Sequence, residues 1–156
     1  TAKEGKVKYI KWYNPVMQIR IKKLDSSLPD LGYAKVGDAG LDLYAQERTV
    51  LVPGVQAAIA TGVAIEIPEG YVGLVWDKSG LSMRHGLKTL GGVVDSGYRG
   101  EVMVGMINLS TTPYTFEKGD KVAQLLIQKV EHARFEIVDE LSETERGATG
   151  FGSSGK

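Results

Sequence analysis

Short runs of apolar or alternating residues, each bounded by turn-forming residues, most constrain how this chain folds. Val52-Pro53-Gly54, Ile67-Pro68-Glu69-Gly70 and Glu117-Lys118-Gly119-Asp120 mark turns between such runs. Runs of this length, separated by glycine and proline, are typical of the strands of a sandwich, barrel or jelly roll. The runs predicted as strands cover residues 17–22, 63–67, 71–76, 101–108, 121–130 and 134–138.

Helix is scarce, and the chain is short enough to form one domain. One helical turn is predicted over residues 79–84, because His85-Gly86 is a typical helix stop. A chain of 156 residues can bury its own core without a second domain. We divide it into an N-terminal extension of uncertain origin (1–16), a β jelly-roll domain (17–140) and a flexible C-terminal arm (141–156).

The charge balance and the missing residue types limit the function. The chain has 19 Lys and Arg against 19 Asp and Glu, so it has no overall basic field for nucleic acid and any phosphate binding is local. It has no cysteine, and its histidines, His85 and His132, are far apart, which argues against a disulfide framework or a structural zinc site. No apolar run approaches the roughly 18 residues of a membrane span. We expect a cytoplasmic protein that binds neither nucleic acid nor membrane.

The C-terminal arm combines cations, hydroxyls, backbone amides and one aromatic ring. Its last residues are Arg146-Gly147-Ala148-Thr149-Gly150-Phe151-Gly152-Ser153-Ser154-Gly155-Lys156. The glycines allow backbone amides to approach a ligand, the serines can donate to phosphate oxygens, and Arg146 is a bidentate cation. A Gly- and Ser-rich end is also typical of a frayed linker. Phe151 favours nucleotide binding, because a solvating tail has no use for a bulky ring.

Four further glycine-punctuated segments precede the arm. Taken singly, each is typical of an ordinary surface turn or hairpin corner. Their order and spacing along the chain are far more specific. The segments are Ala39-Gly40-Leu41-Asp42-Leu43, Asp77-Lys78-Ser79-Gly80, the run from Gly91-Gly92 through Asp95 to Tyr98-Arg99-Gly100, and Gly119-Asp120-Lys121-Val122-Ala123-Gln124.

With the arm as a fifth motif, the chain resembles the trimeric dUTP pyrophosphatase (dUTPase) family from about Met17 to Gly155. The resemblance implies an all-β, jelly-roll-like barrel that forms a homotrimer, with each active site built from three subunits. It also implies hydrolysis of dUTP to dUMP and pyrophosphate, which keeps uracil out of DNA and supplies dUMP for dTMP synthesis. The expected partners are therefore dUTP, dUMP and further copies of the chain.

The resemblance assigns recognition of the nucleoside to a β-hairpin around residues 89–98. Such a hairpin reads uracil largely through its backbone, and the pair Gly91-Gly92 suits that close approach. Tyr98 packs under the deoxyribose, with core packing as the alternative, and Phe151 stacks on uracil when the arm closes as a lid. The residues implied in binding uracil and deoxyribose are Thr89, Gly92, Val93, Val94, Tyr98, Met103 and Phe151.

By the same resemblance, Asp95 is the general base. Its carboxylate orients and deprotonates the water that attacks the α-phosphorus of dUTP. Because a carboxylate is a weak base, its effect depends on position more than on basicity. In isolation, an aspartate before Ser96-Gly97 is also typical of a turn cap.

The triphosphate needs its negative charges neutralised and held in line. The resemblance implies Mg²⁺ as the cofactor, which bridges phosphate oxygens and keeps most of its waters, with no direct protein ligand. Asp42 either meets those waters as an outer-shell acceptor or anchors its strand, and the sequence supports both interpretations equally. The implied phosphate-binding residues are Lys78, Ser79, Gly80, Gln124, Arg146, Gly152, Ser153 and Ser154.

The chain departs from the family pattern at a few positions. Where the family usually has Pro-Arg-Ser-Gly, this chain has Asp77-Lys78-Ser79-Gly80, and lysine keeps the charge but lacks the planar fork of arginine. Thr89, Gly97 and Ser154 also stand where other residues are more common. Two alternatives are carried forward: a dCTP deaminase of the same superfamily, for which we find no glutamate-bearing motif, and a nucleotide-sensing regulatory binding protein.

Overall fold

A computed structural model of the chain describes residues 17–149. This part consists of short strands and one helix. In chain order they are β1 (Arg20–Lys23), β2 (Gly40–Tyr44), β3 (Thr49–Leu51), β4 (Gln56–Glu66), β5 (Tyr71–Trp76), α1 (Ser79–His85), β6 (Leu87–Leu90), β7 (Val93–Val94), β8 (Glu101–Asn108), β9 (Tyr114–Phe116) and β10 (Lys121–Lys129).

The strands form two four-stranded antiparallel sheets and one small pair. The first sheet has the order β1-β4-β8-β6, the second has the order β2-β10-β5-β7, and β3 pairs with β9. Apolar residues from both sheets meet in one core, because alternate side chains of a pleated strand point to the same face. The largest buried side chains include Leu43, Ile59, Ile65, Met106, Phe116 and Leu125. The all-β, jelly-roll-like fold predicted from the sequence is confirmed.

Several elements lie where the sequence predicts them. β5 and β8 coincide with the predicted strands, β1 begins at Arg20 instead of residue 17, and β10 ends one residue early. The predicted helix is found as α1, which is one residue longer. Gly86 ends it as a left-handed C-cap with φ of 64° and donates its N–H to the carbonyl of Ser82 at 3.0 Å.

β4 is much longer than the predicted strand over residues 63–67. It begins at Gln56, but its register against β8 shifts between Ala60 and Ala64. Gly62, at this irregularity, has φ of 67°. A bulge interrupts the alternation on which strand prediction depends, so only the second half of β4 is visible in the sequence pattern.

The strand predicted over residues 134–138 is wrong for the described chain. Val130 donates its backbone N–H to the carbonyl of Gly70 at 2.9 Å, and no strand is formed after β10 within the described residues. Phe135 is 91% exposed and Ile137 is fully exposed. The sequence alternates here, but no strand of the described part lies beside it to pair its backbone groups.

The chain crosses from the first sheet to the second between β6 and β7. Gly91 and Gly92 have φ of 67° and 101°, in the left-handed region that glycine tolerates. Val75 donates its N–H to the carbonyl of Gly92 at 2.7 Å, and a Cβ on Gly92 would lie 2.7 Å from the carbonyl oxygen of Val75. The two glycines therefore allow the backbone after β6 to lie directly against β5.

Candidate active site

Three strands of the second sheet bring residues of different motifs onto one face. Gln124 on β10 pairs with Asp42 on β2 and with Trp76 on β5. Directly paired residues of antiparallel strands point to the same face, so these three form a row across the sheet. Lys78 follows Trp76 by two residues and belongs to the same side. Three segments that are distant in sequence thus meet at one end of β5.

Asp42 is at the centre of this row and is only 7% exposed. Its Oδ1 accepts a hydrogen bond from Lys78 Nζ, and its Oδ2 lies 2.7 Å from Lys121 Nζ. Burial raises the pKa of the Asp42 carboxyl, but the hydrogen bonds from Lys121 and Lys78 outweigh burial, and the pKa is lowered. The hydrogen bond to Asp42 also raises the pKa of Lys121. Both carboxylate oxygens are used within the chain, as the strand-anchoring interpretation requires.

A bulge in β10 places Lys121 beside Asp42. The register of β10 against β2 shifts between Lys121 and Ala123, so Val122 is an extra residue on this strand. Lys121 and Gln124 are three residues apart and would point to opposite faces of a regular strand. The bulge puts both on the face of Asp42, which is a common use of bulges next to functional sites.

Lys121 is the residue of this cluster to which the sequence analysis assigned no function. A lysine after a Gly-Asp corner is too common to single out. The sequence signal for the bulge is the adjacent apolar pair Val122 and Ala123, between the polar residues Lys121 and Gln124. Both residues of the pair are buried. Neighbouring apolar residues also occur in fully buried strands, so this signal does not locate a bulge by itself.

Gln124 borders a cavity of about 270 Å³ on this face. Its Nε2 donates to the carbonyl of Asp77 at 2.9 Å. A Cβ on Gly40 would lie 2.7 Å from Gln124 Oε1, so glycine at this position makes room for the amide. Lys78 and Lys121 also line the cavity. The carboxylates of Asp38 and Asp42 line the cavity as well. Its two ammonium groups and its amide are the donors that could bind phosphate oxygens.

Ser79 and Gly80, which were predicted to bind phosphate, lie at the start of α1 beside Lys78. Both are exposed, and nothing lies within 4 Å of the position that a Cβ on Gly80 would occupy. The structure therefore brings Lys78, Ser79, Gly80 and Gln124 to the same end of β5. We call Asp42, Lys78, Lys121 and Gln124 the lysine cluster.

Two of the residues predicted to bind uracil, Val93 and Val94, form β7, the edge strand beside β5. Val93 is 67% exposed, whereas Val94 is 8% exposed and packs in the core. Val94 can therefore offer only its backbone groups to a ligand. Asp95 comes directly after β7 and is exposed, so its carboxylate is open to solvent.

Tyr98 lies beyond Asp95 and is not part of the buried core. Its side chain is 45% exposed, and its Oη donates to the carbonyl of Glu101 at 2.9 Å. A Cβ on Gly100 would lie 2.6 Å from Cζ of Tyr98, so glycine at position 100 allows the ring to lie against the backbone. The ring is thus held in place while one side remains accessible.

Of the other predicted uracil contacts in the described part, Gly92 directly precedes β7 and lies against β5, and two more lie on β6 and β8. Thr89 is buried, and both its N–H and its Oγ1 donate to Asp77 Oδ1 at 2.7 Å. Its hydroxyl is therefore used inside the chain. Met103 is 43% exposed on β8. The structure leaves Met103 accessible and turns the side chain of Thr89 inward.

Within one chain, Asp95 and the lysine cluster are at opposite ends of β5. Gly73 pairs with Val94, so Asp95 lies level with Val72, and Lys78 comes six residues after Val72 (78 − 72). At about 3.3 Å per residue this separation is about 20 Å. One chain therefore does not bring these groups to the same phosphate.

Arg146, the predicted arginine of the arm, lies in a local turn. Its Nε donates to the carbonyl of Thr149 at 2.9 Å, and Thr149 Oγ1 donates to the carbonyl of Arg146 at 2.6 Å. Its hydrogen bonds to other described residues do not involve the lysine cluster. The predicted ligand-binding residues Phe151, Gly152, Ser153 and Ser154, and the extension 1–16, lie outside the described residues.

A second cavity, of about 430 Å³, lies next to the segment that follows Asp95 and is lined by Glu66, Ser96, Arg99 and His132 among others. Across residues 17–149, no group of three or more His, Cys, Asp or Glu side chains is arranged to hold a metal ion. The one helix found in the same range is too short and too polar to cross a membrane.

Sequence comparison identifies relatives along most of the chain. The family model described as dUTPase matches residues 26–155. A deoxyuridine 5'-triphosphate nucleotidohydrolase of Thermobifida fusca is 49% identical over 142 residues, covering 89% of this chain and 79% of the relative. The protein of the same name from Corynebacterium glutamicum is 48% identical over 141 residues, covering 88% of this chain and 95% of the relative.

Solved structures show the same fold. The dUTPase of Staphylococcus bacteriophage 80alpha with dUpNHpp superposes with a TM-score of 0.83 at 32% identity, covering 89% of this chain and 99% of that one. A dUTPase from phage phi11 of S. aureus, whose structure shows the coordination of a structural Mg(II) ion, gives a TM-score of 0.74 at 28% identity and covers 80% of this chain and 98% of that one. By sequence and by fold, the chain belongs to the dUTPase family.

Proposed function

We propose that this protein hydrolyses dUTP to dUMP and pyrophosphate through attack of water on the α-phosphorus. Family membership and the names of its relatives support this activity. The observation that carries the proposal is the meeting of Lys78, Lys121 and Gln124 around one cavity, with the exposed carboxylate of Asp95 on a separate segment of the same sheet. These are the groups needed to hold a triphosphate and to activate a water.

Asp95 acts as the general base. It takes a proton from water as the water oxygen bonds to the α-phosphorus, and the bond from that phosphorus to the bridging oxygen breaks to release pyrophosphate. Because the carboxylate is open to solvent, water can reach it, and hydrogen-bond distance to that water is the requirement for general base catalysis.

The lysine cluster binds the phosphates. In the free chain, Asp42 holds the ammonium groups of Lys78 and Lys121 close together. The two ammonium groups are therefore already positioned when a polyphosphate enters the cavity. To bind them, the polyphosphate competes with a single carboxylate. Gln124 adds an amide whose Nε2 is held by the carbonyl of Asp77. Ser79 and Gly80, exposed at the start of α1, complete this side.

We further propose that Mg²⁺ enters with the substrate. Both oxygens of Asp42 are occupied by lysines, and residues 17–149 offer no metal-binding group of three or more candidate ligands. This donor set fits a cation held by phosphate oxygens and water, and Asp42, which lines the cavity, would accept hydrogen bonds from that water. Bound there, Mg²⁺ would neutralise charge that develops on the phosphates.

Uracil and deoxyribose are bound by the segment from Gly92 to Tyr98. Val94 is buried, so this segment offers backbone groups to the base. A narrow site of this kind crowds out the methyl group of thymine and mispairs with the amino group that replaces the 4-carbonyl in cytosine. The half-exposed ring of Tyr98 supports the deoxyribose. Thr89 contributes through the backbone, since its hydroxyl is bonded to Asp77, and Met103 borders the base from β8.

The site is completed by other copies of the chain, which we propose form a homotrimer. The separation of about 20 Å between Asp95 and Lys78, from the strand rise, supports a site in which these residues come from different chains. The exposed apolar side chains Phe135 and Ile137 support the same conclusion, because exposed apolar segments are typical of protein contacts. Arg146, Phe151, Gly152, Ser153 and Ser154 are proposed to close over the occupied site as part of the arm.

Product analysis tests the activity. The purified chain is incubated with dUTP, dCTP, dTTP or UTP and Mg²⁺, and dUMP, pyrophosphate and ammonia are measured. We expect conversion of dUTP alone, lost in the variant Asp95→Asn. Ammonia from dCTP would instead indicate the deaminase, and tight dUTP binding without turnover would indicate a regulatory binding protein.

Mixing two variants, each substituted in one half of the proposed site, tests whether the site is shared. Asp95→Asn and Lys78→Met are unfolded together and refolded as a mixture. Random assembly gives about a quarter of the sites an intact Asp95 from one chain and an intact Lys78 from another, in a symmetric oligomer. We expect activity to return in the mixture, whereas a site confined to one chain stays inactive. The mass of the assembly in solution then distinguishes a trimer from other oligomers.

A further inference from the structure

Asp77, which directly precedes Lys78, accepts four hydrogen bonds from residues of other strands. Its Oδ1 accepts hydrogen bonds from the N–H and the Oγ1 of Thr89, both at 2.7 Å, and its Oδ2 accepts from Lys88 Nζ at 2.6 Å. Its carbonyl accepts from Gln124 Nε2 at 2.9 Å. One residue therefore joins the end of β5 to β6 on one side and to β10 on the other.

The segments that Asp77 joins are those that the proposed function uses. It directly precedes Lys78 in the chain, and Gln124 belongs to the lysine cluster. Thr89 lies two residues before Gly91-Gly92, where the backbone crosses to begin the uracil-binding segment. Since Gly92 also rests against β5, Asp77 holds the entry to that segment at a fixed distance from the phosphate side.

The carboxylate of Asp77 is engaged within the chain. Three donors already occupy its two oxygens, and its side chain is only 19% exposed. Burial raises the pKa of Asp77, but the hydrogen bonds from Lys88 and Thr89 outweigh burial and lower the pKa. An ionised carboxylate that accepts three hydrogen bonds within the chain is suited to holding the groups that donate them in place.

We propose that Asp77 is a positioning residue that fixes the phosphate-binding residues Lys78 and Gln124 relative to the uracil-binding segment 91–98. The inference rests on the proposed dUTP hydrolysis and extends it to a residue that touches neither substrate nor metal. In the proposed oligomer, one chain supplies the phosphate-binding residues of a site and another chain supplies its uracil-binding segment. Asp77 of the first chain positions the phosphate-binding residues, and Asp77 of the second chain positions the uracil-binding segment.

A second aspartate provides a matched control. Asp25 Oδ1 accepts from the N–H of Ser27 at 2.9 Å and from its Oγ at 2.6 Å, and Oδ2 accepts from Lys118 Nζ at 2.6 Å. Its side chain is 18% exposed, against 19% for Asp77. Each carboxylate thus accepts from the N–H and hydroxyl of one residue and from one lysine, at nearly the same side-chain exposure, but Asp25 makes no hydrogen bond to a proposed site residue.

The test compares Asp77→Ala with Asp25→Ala. Misplacement of about 1 Å can lower rates by up to about 100-fold, so we expect Asp77→Ala to lower kcat/KM for dUTP by about 10- to 100-fold. It should also lower the preference for dUTP over dTTP and weaken the binding of both dUMP and pyrophosphate. We expect Asp25→Ala to lower Tm by a similar amount while KM, the dUTP preference and product binding stay within about twofold of the unsubstituted chain.

Milder variants keep the test decisive where Asp77→Ala does not fold. Asp77→Asn retains an acceptor for the Thr89 N–H but loses the ion pair with Lys88, and Asp25→Asn is its control. Thr89→Ser keeps the hydroxyl and should retain more of the dUTP preference than Thr89→Val. The inference is overturned if Asp77 and Asp25 variants differ only in Tm. If the unsubstituted chain does not turn over dUTP, the proposed function fails. If it does turn over dUTP but the Asp77 and Asp25 variants differ only in Tm, the role of Asp77 alone fails.

Discussion

The two ends of β5 carry the two halves of the proposed site, and their carboxylates differ in burial and in hydrogen bonding. At the Trp76 end, Asp42 is 7% exposed and its oxygens are bonded to Lys78 and Lys121. At the Val72 end, Asp95 is exposed to water. Binding groups can be paired within the chain before a ligand arrives, whereas a base has to keep its oxygens available for the reacting water.

The comparison also separates stability from chemistry. Removing a buried partner of an ion pair leaves other charges without compensation and destabilises the fold, which applies to Asp42. An exposed carboxylate such as Asp95 contributes little to stability, so its substitution should affect the reaction alone. Each of the following experiments changes one side of this comparison.

The largest effect is expected from Asp95→Asn. Loss of a general base typically lowers the rate by about 10²- to 10⁴-fold, and we expect kcat for dUTP to fall by such a factor. Tm and the affinity for dUMP should remain close to those of the unsubstituted chain. Asp95→Glu, which keeps a carboxylate but moves it, should retain more activity than Asp95→Asn. Equal rates for Asp95→Asn and the unsubstituted chain would contradict the assignment.

The next effect is expected on stability from Asp42→Asn. The free energy of unfolding in urea should fall by about 1–3 kcal/mol, as for the loss of hydrogen bonds to a charged group. The lower part of this range applies, because the side chains of Lys78 and Lys121 are 29% and 48% exposed and solvent screens them. Asp30→Asn is the control: Asp30 pairs with Lys23 at 3.0 Å but its side chain is 93% exposed. A loss no larger than that of Asp30→Asn would show that burial of Asp42 does not matter.

A smaller effect concerns the acid limb of stability. The pKa values of Asp42 and Asp77 are lowered in the folded chain, so their contributions are present above the unfolded value of about 3.9 and are lost as the pH falls through the folded values. Tm should therefore decline below about pH 4. Asp42→Asn should flatten this decline. An unchanged slope would contradict the role of the lysine pairs.

The raised pKa of Lys121 acts at the opposite limit. Its contribution is fully present below the unfolded value of about 10.4 and is lost only as the pH rises through the higher folded value. Between these limits Asp42 and Lys121 both stay charged, so the contribution of this ion pair to Tm should not change with pH near neutrality.

The smallest effect is expected from Lys121→Met. Because Lys121 is about half exposed, loss of its charge should cost about 1 kcal/mol or less, which is about a fivefold increase in KM for dUTP. The increase should diminish at high salt, since salt screens exposed charges. Lys129→Met is the control on the same strand, where Lys129 is 72% exposed and pairs with Glu131 at 3.5 Å. Equal KM values for both variants would remove Lys121 from the phosphate site.

How far the sequence predicts the fold depends on whether each signal is local. β5 and β8 are predicted with their bounds because each is a local, largely apolar run with a turn signal next to it in the sequence. β3, β7 and β9 have two or three residues each, which is too short for a periodic signal. The segment 134–138 has the periodicity but lacks a neighbouring strand, and pairing is a property of the tertiary structure that no local pattern contains.

The same limit applies to the site. The motifs around Asp42, Lys78 and Gln124 could be identified from their order, and the row across β2, β10 and β5 explains why they meet. Which interpretation of Asp42 applies in the free chain could not be decided from the sequence, because its partner Lys121 is brought to it by a bulge. The contacts of Asp77 were missed for a similar reason, since they depend on where β6 lies beside β5.

The position of β10 also determines when this sheet can form during synthesis. β10 is the last strand among residues 17–149, yet it lies between β2 and β5 in the second sheet. A nascent chain that has reached residue 120 has both neighbours but not the strand that joins them, so β2 and β5 expose unpaired edges that favour aggregation. The sheet is therefore completed only after most of the chain has left the ribosome, and such non-local pairing is slow. A chain interrupted before Lys121 is expected to depend on chaperones, even though most of its core residues are already present.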